Sequence, residues 1–189
     1  TTFEMVEAMR DACEAAGAPR DLFQSIRHPS IPLTQYLMEI CDLTLATGGK
    51  PMVKAAYSSG KPAYGVGAGN SSIVIDETAD VAIAAQNTRI SKTSDFGSGC
   101  SADGNIIIQK SIYQDMIAAL INEGGYLCDQ SEKDLLEKAM WDEKGNRTFP
   151  TIACKPQQTA DVAGFSIPDD RKFLMVDNQG QIGENFKFC

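Results

Sequence analysis

The sequence predicts an α/β protein built on largely parallel strands. Short apolar runs suited to buried strands alternate with segments whose apolar residues recur at helical spacing, and glycine-rich turns separate the two kinds of segment. Of the 189 residues, 43% are hydrophobic, which is enough for a sizeable core. We find no internal repeat and no low-complexity tract.

The first half of the chain predicts a helix, a second helix and then a strand, turn and helix unit. Apolar residues at helical spacing run from Phe3 to Ala16, and Gly17-Ala18-Pro19 ends that helix. Gly48-Gly49 turns the next strand into a helix, with Pro51 suited to its first turn. The predicted bounds are a helix at 33–39, a strand at 41–47 and a helix at 52–57.

The second half predicts further alternation of strands and helices. Thr78 is the predicted N-cap of a long helix from Ala79 to Lys92. Gly124-Gly125 breaks two later helices apart. The other predictions are strands at 62–66 and 72–75, a buried strand at 105–109, helices at 113–123 and 132–140, a short helix near Ala160 and a strand at 172–176.

Charge and composition exclude several classes of function. A net charge of −8 without a basic stripe argues against nucleic acid as a partner. No apolar run approaches the ~20 residues that a membrane span needs, and the first residues lack the pattern of a signal peptide. The six cysteines form no CxxC pair, and His28 has no ligand-spaced neighbour, so no metal site is expected. We therefore expect a cytoplasmic protein with reduced thiols and no membrane partner.

Cys100 is the predicted nucleophile. It lies in a stretch of glycines and small polar residues, Ser91-Lys92-Thr93-Ser94-Asp95-Phe96-Gly97-Ser98-Gly99-Cys100-Ser101. A structural cysteine has apolar neighbours, whereas this setting leaves backbone N–H groups and space near the sulfur.

Two glycine-rich segments differ in what they can bind. Gly65-Val66-Gly67-Ala68-Gly69-Asn70 fails as a dinucleotide fingerprint, because its third glycine falls one place early and an apolar strand follows instead of a helix. This segment favours a tight backbone crossing between strands. Thr47-Gly48-Gly49 joins a strand to a helix and suits an anion, with Lys50 nearby, although many such turns bind nothing.

Taken together in order, these motifs resemble the CoA-acylating aldehyde dehydrogenases. The matching stretches are Leu45–Gly49, Met52–Ala63, Gly65–Asn70, Ser91–Thr93 with Cys100, and Ala163–Pro168. The resemblance is to the aldehyde dehydrogenase half of aldehyde-alcohol dehydrogenases and to monofunctional relatives, and it covers nearly the whole chain.

The resemblance implies a two-domain enzyme that binds NAD or NADP on an atypical Rossmann-like domain and uses coenzyme A as co-substrate. Residues 1–64 would be the C-terminal part of the cofactor domain, and residues 65–189 the N-terminal part of an α/β catalytic domain. Cys100 would be catalytic, whereas Thr47, Gly48, Gly49, Val66 and Gly67 would contact the cofactor. The full-length relative is expected to be a homo-oligomer that acts on a small aldehyde.

Val66 indicates whether CoA or water accepts the acyl group. Hydrolytic members of the superfamily carry a water-activating glutamate where this chain has Val66, 34 positions before Cys100. A general base contributes roughly 10²–10⁴ in rate, and valine cannot act as one. Without this base we expect a thioester on Cys100 to pass to CoA rather than to water, in a reversible reaction.

Departures from the family pattern leave alternatives open. Gly99 and Ser101 replace the residues that flank the cysteine in aldehyde-alcohol dehydrogenases, and this stretch is similar to that of acylating sulfoacetaldehyde dehydrogenases. Relatives are much longer, so we expect a fragment that is inactive by itself. The alternatives are a hydrolytic aldehyde dehydrogenase and a noncatalytic, structural piece of a filament-forming aldehyde-alcohol dehydrogenase.

Overall fold

Helices and short parallel strands alternate along the chain, as the sequence predicts. The computed structural model describes residues 2–67, 69–178 and 187–188. The helices are α1 (Thr2–Ala15), α2 (Ile31–Ile40), α3 (Lys50–Tyr57), α4 (Val81–Thr93), α5 (Tyr113–Asn122), α6 (Gln130–Met140) and α7 (Pro156–Ala163). The strands are β1 (Thr44–Thr47), β2 (Ala63–Val66), β3 (Ser71–Ile75), β4 (Asp103–Ile108), β5 (Gly125–Leu127) and β6 (Phe173–Met175).

The chain divides into two compact units, residues 1–68 and residues 69–189. In the first unit β1 pairs with β2, and Met38, Ala46 and Ala56 form a small buried cluster against them. Ser30 caps α2, accepting the N–H of Leu33 at 3.3 Å. β1, the Gly48-Gly49 turn and α3 follow one another, so the predicted strand, turn and helix unit is present.

The second unit contains two more strand pairs, β3 with β4 and β5 with β6. All three pairs in the described residues are parallel, but each is a separate two-stranded sheet. The main buried cluster joins β3, α4, α5 and β6 and consists of Ile75, Ala85, Met116, Leu120 and Phe173. A second cluster, Cys128, Leu136 and Ala163, lies between α6 and α7.

The predicted start of the long helix is wrong. Asp80, not Thr78, caps α4, because its carboxylate accepts the N–H groups of Ala82 and Ile83 at 3.0 and 3.1 Å. Thr78 is occupied elsewhere, since both its hydroxyl and its N–H donate to Asp76, at 2.6 and 3.0 Å. The turn that begins at Asp76 thus engages Thr78, the residue that the sequence predicts as the helix cap.

Two strands also differ from the prediction. The predicted strand from Cys41 shortens to β1, because the Cys41 N–H donates to Leu37 O at 3.0 Å and closes α2. The sequence predicts only a break at Gly124-Gly125, yet Gly125 begins β5. A Cβ on Gly125 would lie 2.8 Å from Leu120 O, so this close approach, rather than a break alone, requires the glycine.

Candidate active site

Cys100 lies at the tip of a turn in the loop between α4 and β4. Ala102 N–H donates to Gly99 O at 3.0 Å, which puts Cys100 and Ser101 at the two central positions of the turn. The Cys100 side chain is exposed, as expected for a thiol that meets a substrate. We call residues 94–102 the cysteine loop.

Left-handed backbone shapes the start of the cysteine loop. Asp95, Phe96 and Gly97 have φ of 48°, 53° and 70° in succession. The Ser98 N–H donates to Asp95 O at 3.1 Å, and Ser98 Oγ lies 2.7 Å from both that oxygen and an Asp95 carboxylate oxygen. Each non-glycine residue in this conformation costs roughly 1–2 kcal/mol, and such outliers cluster at functional sites.

The loop ends where β4 begins, and two neighbours contact it there. Asp103 N–H donates to Ser91 Oγ, from the last turn of α4, at 3.1 Å. On the other side, a Cβ on Gly104 would lie 1.6 Å from Asn70 Oδ1, so the Asn70 carboxamide rests directly on the glycine backbone. No local motif encodes either contact, because each joins residues far apart in the chain.

A lysine supports the same loop. Lys92 Nζ and Cε lie 3.5 Å from the position that a Gly97 Cβ would take. Burial lowers the pKa of Lys92, the positive charge of Arg147 lowers it further, and Asp103 opposes the shift. Lys92 thus places a basic group beside the loop, which favours an anion there.

Arg147 is held in place by the hairpin that follows α6. Its guanidinium donates to Thr151 O at 2.9 Å and lies 4.8 Å from the ring centre of Trp141. Burial lowers the pKa of Arg147, although it remains a cation throughout the physiological range.

Thr47, Gly48 and Val66 meet at the carboxyl ends of β1 and β2. Thr47 pairs with Val66 in the parallel register, and Gly48 N–H donates to Val66 O at 3.0 Å. In open α/β sheets, ligands bind at this end of the strands. The structure therefore brings three of the five residues predicted to contact a cofactor together in one unit, and Gly49 and Gly67 adjoin them in the chain.

Gly49 is the N-cap of α3 and supplies no side-chain cap, while Pro51 lies in the first turn. The N–H groups of Met52 and Val53 donate to Gly49 O at 3.0 and 3.2 Å, and Pro51 has no N–H. The Lys50 N–H is thus the group at this helix start that suits an outside acceptor such as a phosphate. As predicted, a strand, β3, follows the Gly65–Asn70 segment where a standard dinucleotide site would have a helix.

The described part of the chain holds no cluster of three or more histidine, cysteine or acidic residues that would suit a metal ion. None of its helices is both long and apolar enough to cross a membrane.

Comparisons with known proteins agree with the resemblance found in the motifs. Residues 1–127 match the Aldehyde dehydrogenase family. A sulfoacetaldehyde dehydrogenase from Acholeplasma sp is 43% identical over 185 residues, which cover 96% of this chain and 38% of that protein.

Two solved structures extend the comparison. An acetylating aldehyde dehydrogenase from Geobacillus thermoglucosidasius superposes with a TM-score of 0.91 at 38% identity, over 99% of this chain and 41% of that one. A propionaldehyde dehydrogenase from Rhodopseudomonas palustris, solved with bound CoA and an acylated cysteine, gives a TM-score of 0.77 at 27% identity, over 95% and 40% of the two chains. The chain spans about two fifths of the length of these relatives.

Proposed function

Because this chain belongs to the aldehyde dehydrogenase family, we propose that the natural polypeptide carrying it converts an aldehyde reversibly to an acyl-CoA through a thioester on Cys100. The predicted family and fold class are confirmed, since the chain is an α/β protein with the fold of acetylating aldehyde dehydrogenases. The observation that carries the proposal is the exposed Cys100 at the tip of a turn, in a chain similar to an enzyme with an acylated cysteine and bound CoA.

In the proposed reaction, Cys100 sulfur attacks the carbonyl carbon of the aldehyde and forms a thiohemiacetal. The Cys100 backbone N–H is the proposed donor to the resulting oxyanion. NAD or NADP, when bound, supplies the hydride acceptor that oxidises this adduct. The thiol of CoA then attacks the thioester carbon, which releases acyl-CoA and frees the Cys100 sulfur.

The residues at the carboxyl ends of β1 and β2 suit a phosphate-containing cofactor. Gly49 leaves space beside the backbone where α3 begins, since a Cβ there would meet only Pro51 Cδ, at 3.7 Å. The α3 N-terminus has no side-chain cap. We propose that Thr47, Gly48, Gly49, Val66 and Gly67 contact NAD or NADP. Residues 1–64 are the proposed cofactor-domain part, and residues 65–189 the proposed catalytic-domain part.

Val66 supports CoA rather than water as the acyl acceptor. Its side chain is half-exposed at the end of β2 and has no group that accepts a proton. Water needs a general base to attack a thioester efficiently, whereas the CoA thiol does not depend on one to the same degree.

The test is an assay of the natural polypeptide with several aldehydes, with and without CoA, that follows the reduced cofactor and the acyl product. We expect acyl-CoA formation that requires CoA and is lost in Cys100→Ala. Free acid formed without CoA would instead identify a hydrolytic enzyme. Val66→Glu adds a second check, because it should shift the product toward free acid, and an unchanged ratio would remove the proposed role of Val66.

Sulfoacetaldehyde is the proposed aldehyde. Gly99 and Ser101 flank Cys100 with small side chains, and a relative named sulfoacetaldehyde dehydrogenase is 43% identical. A higher kcat/KM for sulfoacetaldehyde than for acetaldehyde or propionaldehyde is the expected result. A preference for the uncharged aldehydes would contradict this assignment and leave the reaction class intact.

We also propose a cytoplasmic homo-oligomer. The five described cysteines (Cys13, Cys41, Cys100, Cys128 and Cys154) are all free, which suits a reducing compartment. The oligomer rests on the family resemblance alone, and light scattering of the natural polypeptide would measure it directly.

A further inference from the structure

The glycine turn between β1 and α3, formed by Gly48 and Gly49, is tied to β2 on both of its sides. At its start, the Gly48 N–H donates to Val66 O, at the end of β2, at 3.0 Å. At its end, α3 follows Gly49 directly and packs back against β2. The position of the glycine turn therefore depends on how closely α3 approaches β2.

Gly65, within β2, allows that approach. A Cβ on Gly65 would lie 2.6 Å from Val53 Cγ1 and 2.8 Å from Tyr57 Cε2, both on α3. These distances are well below the ordinary contact of about 3.5 Å between carbon atoms. Gly65 does not have a positive φ, so the space taken by α3, and not the backbone conformation, requires the glycine.

Neither side chain on α3 can move aside at little cost. Val53 branches at Cβ and has one strongly preferred rotamer in a helix. Tyr57 is 59% exposed, yet its hydroxyl accepts the Gly65 N–H at 3.0 Å while its ring edge faces the same glycine. A methyl group at Gly65 would thus push α3 away from β2 by about 1 Å, the shift that restores ordinary contact with Val53.

Such a shift reaches the residues that are proposed to contact the cofactor. Because α3 continues directly from Gly49, moving the helix moves the Lys50 N–H relative to Thr47 and Val66, which the parallel pairing of β1 and β2 keeps together. A misplacement of about 1 Å can cost up to about 10²-fold where function depends on exact geometry.

We propose that Gly65 is a positioning residue for the cofactor. By admitting Val53 and Tyr57 to the backbone of β2, it keeps the glycine turn where the turn can receive NAD or NADP. This inference rests on the proposed cofactor contacts at Thr47–Gly49 and Val66–Gly67.

Titration of the natural polypeptide with NADH and with NADPH, read by the fluorescence of the reduced nicotinamide, tests the proposal without turnover. Gly65→Ala should raise the Kd of the tighter-binding cofactor about 10-fold, the equivalent of about one hydrogen bond. In steady-state kinetics the KM for that cofactor should rise by a similar factor, while kcat at saturating cofactor stays within about 3-fold. An unchanged Kd would overturn the proposal.

Two further variants test the contact itself. Val53→Ala combined with Gly65→Ala removes the nearer obstacle and should recover most of the lost affinity, whereas independent, multiplying losses would overturn the proposal. Tyr57→Phe keeps the ring and removes the acceptor of the Gly65 N–H, so it should raise the Kd about 3-fold. This variant adds no atom, so it tests the proposal even if Gly65→Ala does not fold, and an unchanged Kd would overturn the positioning role of the contact.

Gly69→Ala is the matched control, because a Cβ there would meet nothing within 4 Å and the Kd should not change. An equal rise in Kd for Gly69→Ala would overturn the specific role of Gly65. So would a lower urea midpoint for Gly65→Ala with unaltered Kd, which would show a purely structural contact. Failure of the proposed reaction alone would appear as absent acyl-CoA formation with the pattern of Kd values intact, and CoA-dependent turnover with the same Kd in every variant would show the reverse.

Discussion

Cys100 and Cys128 belong to the same compact unit, yet their surroundings are opposite. Cys100 is exposed in a turn of small residues after α4. Cys128 is buried just before α6, and its N–H donates to Met175 O at 2.9 Å. Burial raises the pKa of Cys128 to about 12, and the carboxylates of Glu132 and Asp129 add to the shift.

The difference teaches that a helix N-terminus does not by itself make a cysteine reactive. A helix start ordinarily lowers the pKa of a thiol. At Cys128, desolvation and two acidic side chains outweigh that effect. We therefore expect cysteine reactivity in this unit to follow solvent access and nearby charge rather than secondary structure.

Removing each sulfur gives the largest expected contrast. Cys100→Ala should lower acyl-CoA formation by at least about 10³-fold, because the covalent intermediate cannot form. Cys128→Ala should leave kcat within about 2-fold and lower the free energy of unfolding by about 1 kcal/mol through the lost packing. Steady-state kinetics and urea denaturation measure the two effects, and a comparable loss of turnover in both variants would break the contrast.

Alkylation at pH 8 sharpens the comparison without substrate. With a pKa of about 12, only about one Cys128 in 10⁴ is a thiolate at this pH, and the sulfur is also buried. We expect iodoacetamide to label Cys100 at least about 10²-fold faster in the folded protein, as read by peptide mass spectrometry. In urea the two rates should converge, and rapid labelling of Cys128 without urea would contradict its burial.

Gly97→Ala tests how far the cysteine loop depends on its left-handed backbone. Gly97 has φ of 70°, and a Cβ there would lie 2.9 Å from Lys92 O. We expect a loss of about 1–3 kcal/mol in the free energy of unfolding, measured by urea denaturation. Gly99→Ala is the control, because its Cβ would meet nothing within 4 Å, and equal losses in both variants would contradict the role of the conformation.

Asp129→Ala has the smallest expected effect on the free energy of unfolding. Asp129 is one of the two carboxylates that help to raise the pKa of Cys128. Asp129 and Glu132 form a capping box, each accepting the backbone N–H of the other at 2.9 Å. The hydrogen bond from the Glu132 N–H lowers the pKa of Asp129, and the Ser131 hydroxyl assists.

Because the folded-state pKa of Asp129 is lowered, its stabilising effect is complete above the unfolded value of about 4 and declines as pH falls through the folded value. The difference in urea midpoint between wild type and Asp129→Ala should therefore be constant above about pH 5 and shrink in acid. Glu143→Ala, at an exposed carboxylate, should show no such midpoint difference. A difference that grew in acid would contradict the assigned sign.

The sequence predicted the fold class and most elements because their signals are local. Pro51 and Gly49 mark the start of α3 within a few residues, and the neighbours of Cys100 distinguish it from the other cysteines without a structure. β5 escaped prediction, since a three-residue strand that begins at the second glycine of a pair carries too little periodicity to indicate a strand.

The geometry of the candidate site was less predictable because it depends on non-local contacts. Nothing in the residue types of Asp95 and Phe96 indicates consecutive left-handed conformations, which a phenylalanine rarely adopts. The contact of Asn70 with Gly104 requires the parallel register of β3 and β4, which neither segment encodes alone. The roles of Cys100 and of the residues at Thr47–Gly49 and Val66–Gly67 stay predictions.

The parallel pairing of β5 with β6 has a consequence for the order of events during synthesis. A ribosome adds residues from the N-terminus at about 5–20 per second, so the backbone partner of Cys128 at Met175 emerges seconds after the thiol itself. Until β6 arrives, Cys128 belongs to a nascent chain that lacks one wall of its pocket. A thiol that is buried in the folded unit thus passes through a period of solvent exposure before folding shields it.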